Sequence, residues 1–146
     1  MTKHIILLFI LTGFFSVSFG QNNLDQLSGN CIKNAGKEAK FLKDFRIQLG
    51  KGTADCDFRY KAKLSLWKDT KYRFTLCTAG NSKGKLILNI RDDSDKLILA
   101  SSDENKPEET NQSLDFACSK SGIYQICFDF SDRLSGSGIG VVSILK

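Results

Sequence analysis

From Phe41 onward, apolar and polar residues alternate with a period of two. Phe45, Ile47 and Leu49 alternate with Arg46 and Gln48; Phe58, Tyr60, Ala62, Leu64 and Leu66 alternate with Arg59, Lys61, Lys63 and Ser65; Tyr72, Phe74 and Leu76 alternate with Arg73 and Thr75. Successive side chains of a strand point to opposite faces, so this pattern predicts strands buried on one face only. Leu86–Arg91 and Leu97–Ala100 are denser in Leu and Ile and are expected as central strands, joined as a hairpin through Asp92-Asp93-Ser94-Asp95. Ser101–Asn111 carries the only proline, Pro107, with Asp103, Glu104, Glu108 and Glu109, and reads as a long solvated loop. Ser113–Cys118, Ile123–Phe130 and Ile139–Leu145 follow, separated by Ser-Lys-Ser-Gly and Ser-Gly-Ser-Gly turns. About eight short strands without a convincing helix predict an all-β fold over 41–146, a two-layer antiparallel β-sandwich of jelly-roll type.

Residues 21–40 are polar, with scattered Asn, Gly and Lys; Leu24, Leu27 and Ile32 mark either one helical turn against the body or a loose N-terminal arm. Residues 1–20 read as a signal peptide. Lys3 gives a positive start, Ile5 to Phe15 an apolar run broken at Thr12 and Gly13, and Ser16, Ser18 and Gly20 a small-residue cleavage region before Gln21. The apolar run is short of the roughly 20 residues that span a bilayer, so no membrane span is expected. Leu27-Ser28-Gly29-Asn30-Cys31 faintly echoes a lipoprotein box but stands too far downstream. The expected compartment is extracellular or periplasmic.

Composition narrows the chemistry. The chain has 146 residues with 41% hydrophobic and 25% charged positions, a globular balance with room for one domain beyond the leader. Its one His, His4, lies in the leader, so the exported chain has no Ser-His-Asp or Cys-His mechanism and no His-ligated zinc site. The net charge of +5 favours anionic partners without specificity and is too modest to argue nucleic acid.

Export also changes how Cys31, Cys56, Cys77, Cys118 and Cys127 read, because an oxidising compartment permits disulfides. Five is odd, so at least one thiol is free or pairs with another chain. No C-x-x-C is present. Matching apolar faces of Ser113–Cys118 and Ile123–Phe130 as a hairpin pairs Phe116 with Ile126 and Leu114 with Phe128; a slip of one residue would bury Asp115. Cys118 then points inward as a buried thiol, whereas Cys127 and Cys77 point outward. Cys77 and Cys127 are therefore expected to bond, leaving Cys31 and Cys56 to staple the arm.

The run Leu66-Trp67-Lys68-Asp69-Thr70-Lys71-Tyr72-Arg73-Phe74-Thr75-Leu76 resembles the turn-and-strand "Leu-x-x-Gly-Thr-x-Tyr-x-Phe-x-Leu" of bacterial pre-peptidase C-terminal domains. Leu86–Asp92 is similar to their "leu-x-leu-x-asp" strand, and Phe116–Ile126 to their "aromatic-x-x-x-x-x-Gly-x-Tyr" hairpin; together these span roughly Phe41 to Leu145. Asp69 stands where that family has Gly, the cysteines are atypical, and no peptidase precedes the domain. The resemblance implies a non-catalytic β-sandwich of the kind appended to secreted enzymes.

Several residues are candidates for a site. Arg59, Lys61 and Lys63 share a strand face, with Arg73 expected beside them; they would bind an anionic glycan, a lipid headgroup or an acidic envelope or secreted protein, or simply form the wet side of a sheet. Trp67, with Tyr72 close by, would stack on a sugar ring or cap the core. Asp92–Asp95 could hold calcium or be a plain turn, and Asp129, Ser131 and Asp132 offer a weaker version. Glu108 and Glu109 read as solvated loop rather than glycosidase carboxylates, and Asn111-Gln112-Ser113 is a glycosylation sequon. The expectation is thus a secreted, non-catalytic binding or accessory module for a polymer or protein, with no metal and no cofactor. The alternative is a structural or assembly protein of the cell envelope.

Overall fold

The computed structural model describes residues 19–53, 57–103, 106–110 and 112–146, with backbone alone at 19–22, 103 and 106–110. One helix, α1 (Phe19–Asn34), precedes ten strands: β1 (Ala39–Leu49), β2 (Tyr60–Leu66), β3 (Lys71–Thr78), β4 (Leu86–Arg91), β5 (Leu97–Ala100), β6 (Ser102–Asp103), β7 (Lys106–Thr110), β8 (Ser113–Ala117), β9 (Gly122–Phe130) and β10 (Gly136–Leu145). Eight of them build two antiparallel four-stranded sheets in the orders β1-β10-β3-β8 and β2-β9-β4-β5. Strands neighbouring in sequence mostly lie in opposite sheets, which is the interleaving of a jelly roll. The all-β sandwich read from the alternation is therefore the fold.

The core lies between the sheets. Tyr72, Phe74 and Leu76 of β3, Leu86, Leu88 and Ile90 of β4, and Ile126, Phe128 and Phe130 of β9 are all buried there, with Phe45 and Ile47 of β1. The Phe128 ring lies 5.4 Å from that of Phe45 and 5.9 Å from that of Tyr60. It also lies against Gly140 of the facing sheet, where an added Cβ would come within 2.5 Å of the ring. A Cβ added at Gly136 would likewise come within 2.5 Å of the Phe130 ring, and one at Gly138 within 2.9 Å of the Cys77 carbonyl oxygen. The Ser-Gly-Ser-Gly stretch is thus mostly the first part of β10 rather than a turn, because its glycines leave room for the Phe130 ring and the neighbouring strand.

Four other expectations change. β8 does not form a hairpin with β9; it crosses to the other sheet and pairs with β3, setting Leu114 opposite Phe74 and Phe116 opposite Tyr72. Ile126 instead lies between Ala62 and Ile90. Leu114 and Phe116 keep the expected inward face in either arrangement. What distinguishes the two is Asp115, which on β3 meets Arg73 in a paired contact of 2.7 and 2.9 Å. β5 is an edge strand with Leu97 and Ile98 exposed, not a central one. The stretch expected as a loop carries the short β6–β7 hairpin. And residues 19–34 form a full helix.

That helix is built from poor helix formers, four Asn and two Gly among its sixteen residues. Its order comes from packing. Leu24, Ser28, Cys31 and Ala35 are buried at spacings of three and four, and with half-buried Leu27 and Ile32 they cover Ile139 and Val141 on the outer face of the first sheet. Gly36, at φ 97°, ends it in the left-handed region.

Asp69 sits in the turn before β3 at φ 65°. An L-residue is strained there and glycine is not. Asp69→Gly should therefore raise unfolding stability by up to about 1 kcal/mol, less the entropy that glycine adds to the unfolded chain. A lower urea midpoint for the variant would contradict this.

Candidate functional site

The disulfide joins Cys31 of α1 to Cys77 of β3, with Cα atoms 5.9 Å apart. Neither Cys77–Cys127 nor Cys31–Cys56 is the pairing. Cys77 and Cys127 do both point out of their sheets, but out of different sheets, on opposite outer faces of the sandwich. Cys127 is a buried free thiol beneath the side chains of β2 and β4, set between Lys61 and Asn89, and burial pushes its pKa up. Cys118 is the buried free thiol expected, its sulfur 3.7 Å from Tyr124 Oη. Burial and that contact push the Tyr124 pKa up to about 12. Cys56 lies outside the described residues, as do residues 1–18 and Asn111 of the sequon. With its sulfur bonded to Cys77, Cys31 has no thiol left for acylation.

The basic residues do not form one patch. Arg59 is a structural pin: its guanidinium pairs with buried Asp129 at 2.7 Å and also donates to the Gly50 and Leu134 carbonyls. Lys61 is held by Asp57 at 2.8 Å, which raises the Lys61 pKa. Lys63 projects alone from the same face. Arg73 lies on the opposite side of the sandwich, between Asp115 and Glu38, and donates to the Ala35 carbonyl just beyond α1. Period-two parity assigns a side chain to a face of its own sheet and cannot say which sheet that is.

Trp67 is 68% exposed at the end of β2. Tyr72 is buried, and only its hydroxyl reaches Trp67, accepting the Trp67 backbone N–H at 2.9 Å. The two rings therefore do not make a platform. In the Asp92–Asp95 turn, Asp92 Oδ1 accepts the Ser94 and Lys96 N–H groups, each at 2.9 Å. These bonds account for that carboxylate as a turn former. Asp129 is committed to Arg59.

The Arg73 cluster makes the fold's acid response predictable. Hydrogen bonds from Arg73 hold Asp115 below the usual carboxylate range, and its own backbone N–H and then Arg73 do so for Glu38. A depressed folded pKa contributes stability above the unfolded value, and that contribution is lost as pH falls through the folded one. Asp115→Asn should therefore lower the melting temperature slightly at pH 7. Because the pair is partly exposed, the gap should be a degree or two, and it should close as pH falls through the lowered Asp115 pKa. A gap that persists in acid would refute the assignment.

The sequence did not single out the cleft beside α1. About 400 Å3 of space opens between the helix, the end of β3, the start of β4 and Gln112. Half-buried Leu27 and Cys77 give it an apolar side and Asn30, Asn34, Gln112, Thr78 and Lys85 a polar one, while Leu76 and Leu86, which also border it, are buried in the core between the sheets. Past Leu27 and Asn30 it continues into a second hollow of about 340 Å3, bordered by Asn23, Gln26 and the Ala79–Asn81 loop. Helical spacing aligns Asn23, Gln26, Asn30 and Asn34 along one exposed side of α1. The signal in the sequence was this carboxamide spacing, invisible while the segment read as an arm. Backbone bonds hold the rim: Leu76 N–H donates to Gln112 at 2.8 Å and Ala79 N–H to Ser137 at 2.8 Å.

No protein-family model matches this chain, and no curated protein matches it. Among the described residues no helix is long and apolar enough to cross a membrane.

Proposed function

We propose that this chain is a secreted, non-catalytic binding module, of the kind represented by pre-peptidase C-terminal domains, that recognises a polymer or protein partner through the cleft beside α1. The observation that carries this reading is the gathering of Asn30, Asn34 and Gln112 around half-buried Leu27 and the Cys31–Cys77 disulfide. Small-ligand clefts share that make-up of an apolar bed with a few placed polar groups, at about 300–1,000 Å3. Further support for the kinship comes from Asp69, whose left-handed backbone occupies the position where that family has Gly. Binding rather than catalysis is supported by the described residues around it, which offer amides, a hydroxyl and one ammonium and, among themselves, no carboxylate, thiol or imidazole to move a proton.

The test is a sedimentation assay of the exported protein against envelope and extracellular polymers, comparing the native chain with Asn30→Arg/Asn34→Arg. Binding lost in the variant supports the cleft. Binding that survives unchanged would place recognition elsewhere. A second reading, an envelope assembly protein, is favoured by one feature: exposed Trp67 and Ile123 lie at the end of the sandwich opposite the cleft. It predicts self-association that Trp67→Ser abolishes.

A further inference from the structure

We propose that the cleft takes an uncharged saccharide, bound by its hydroxyl groups. This rests on the reading of the cleft as the binding site and names the ligand class. A primary amide presents a donor and an acceptor side by side in one plane. A sugar hydroxyl both donates and accepts, and neighbouring hydroxyls repeat the pair at each ring carbon. Asn30, Asn34 and Gln112 around the first hollow, and Asn23 and Gln26 beside the second, supply five such groups. Among the described residues no Asp or Glu lines either hollow, so no carboxylate of theirs would hold a cation. Among them Lys85 is the one charge, whereas a carboxylate or sulfate ligand calls for Arg or several Lys.

The apolar side fits as well. Half-buried Leu27, beside the Cys31–Cys77 disulfide, offers aliphatic surface to the C–H face of a ring. A peptide fits less well. An extended chain presents its N–H and C=O groups along its edges and its side chains to alternate faces, which calls for separate side-chain pockets along a strand edge. Here the polar groups cluster on both walls of one short hollow. The walls are also fixed before binding, because the Cys31–Cys77 bond holds α1 onto the sheet and the Leu76–Gln112 bond holds the other rim. Finally, asparagines on the exposed side of a helix weaken it relative to Ala or Lys. Helix propensity therefore gives no reason for Asn23 and Asn30 to be there, whereas Asn34 also donates to Cys77 Sγ at 3.9 Å.

The same feature makes the test clean, since Asn30→Ala and Asn34→Ala should stabilise α1 and cannot lose binding by unfolding it. The experiment titrates the 15N-labelled exported chain with neutral oligosaccharides (gluco-, xylo-, manno- and chito-oligomers). Parallel titrations use an oligogalacturonate, a heparin oligomer and a mixture of neutral peptides. Expected are shifts of the Asn30, Asn34 and Gln112 side-chain NH2 signals with at least one neutral oligosaccharide. Each Ala variant should weaken it about tenfold, Lys85→Gln less than threefold, and 0.5 M NaCl should have little effect. Shifts at the same amides with an anionic oligomer alone, lost in Lys85→Gln, would overturn the saccharide class and leave the cleft standing. Peptide binding there alone would do the same. Shifts confined to Trp67 and Ile123 would overturn the cleft itself, and no shift with any neutral oligomer at 10 mM would overturn the inference.

Discussion

Replacing Cys31 with serine is expected to lower the stability of the protein by about 4 kcal/mol. The bond closes a chain separation of 46 residues, from α1 to β3. In the chain-entropy picture, opening a loop of that length returns about 4 kcal/mol of freedom to the unfolded state. The folded state suffers too. A helix as short as α1 is marginal in water on its own, more so when rich in Asn and Gly. Without the bond, it is held by Leu24, Ala35 and their half-buried neighbours against Ile139 and Val141 and by polar contacts of Ser28 with Asp44 and of Asp25 with Arg46. The melting temperature should fall by roughly 15 °C, and α1 amides should exchange far faster than those of β9. Cys77→Ser should behave alike, and the double variant should be no worse than either single one. A loss under 1 kcal/mol, or peptide mapping without reduction that finds Cys77 joined to Cys127, would refute the pairing.

Alternation alone gave the sandwich, because a period of two is a local property of a half-buried strand and eight repetitions of it leave few architectures. It gave the inward faces of Leu114, Phe116, Tyr124, Ile126 and Phe128 correctly. It could not give partners. Whether β8 pairs with β9 or β3 depends on contacts distant in sequence, and both choices bury the same residues. Asp115 opposite Arg73 was the one legible discriminator. The disulfide failed for the same reason, since Cys77 and Cys127 were right about their faces and wrong about their sheets. The helix was hidden by composition. Its burial stripe, Leu24, Leu27, Ser28, Cys31, Ile32 and Ala35, includes a serine, an alanine and a cysteine, so the apolar signal read as three isolated residues. The cleft followed the helix into obscurity, because carboxamides spaced three and four apart converge only once the segment is helical.

Arg59 shows how a surface charge in an alternating strand can belong to the interior. Its neighbours in the pattern, Lys61 and Lys63, are exposed, yet the Arg59 side chain is only 15% accessible and its partner Asp129 4%. Asp129 lies on the outer face of β9, a strand with neighbours on both sides. Arg59 Nε at 2.9 Å and the Arg59 and Phe130 backbone N–H groups all donate to it. The rest of the guanidinium ties the Gly50 and Leu134 carbonyls together, so one side chain closes the loops before β2 and after β9. Arg59→Ala should therefore cost about 3 kcal/mol, most of it from leaving a buried carboxylate without its counter-charge. That origin has a signature. Arg59→Met/Asp129→Leu, which removes both charges and keeps the volume, should recover more than half of the loss, whereas Asp129→Leu alone should not. Urea unfolding of the native chain, Arg59→Met, Asp129→Leu and the double variant gives the coupling directly. If Arg59→Ala proves as mild as Lys63→Ala, the guanidinium is a surface group after all, and the basic face of β2 regains its place as a candidate ligand surface.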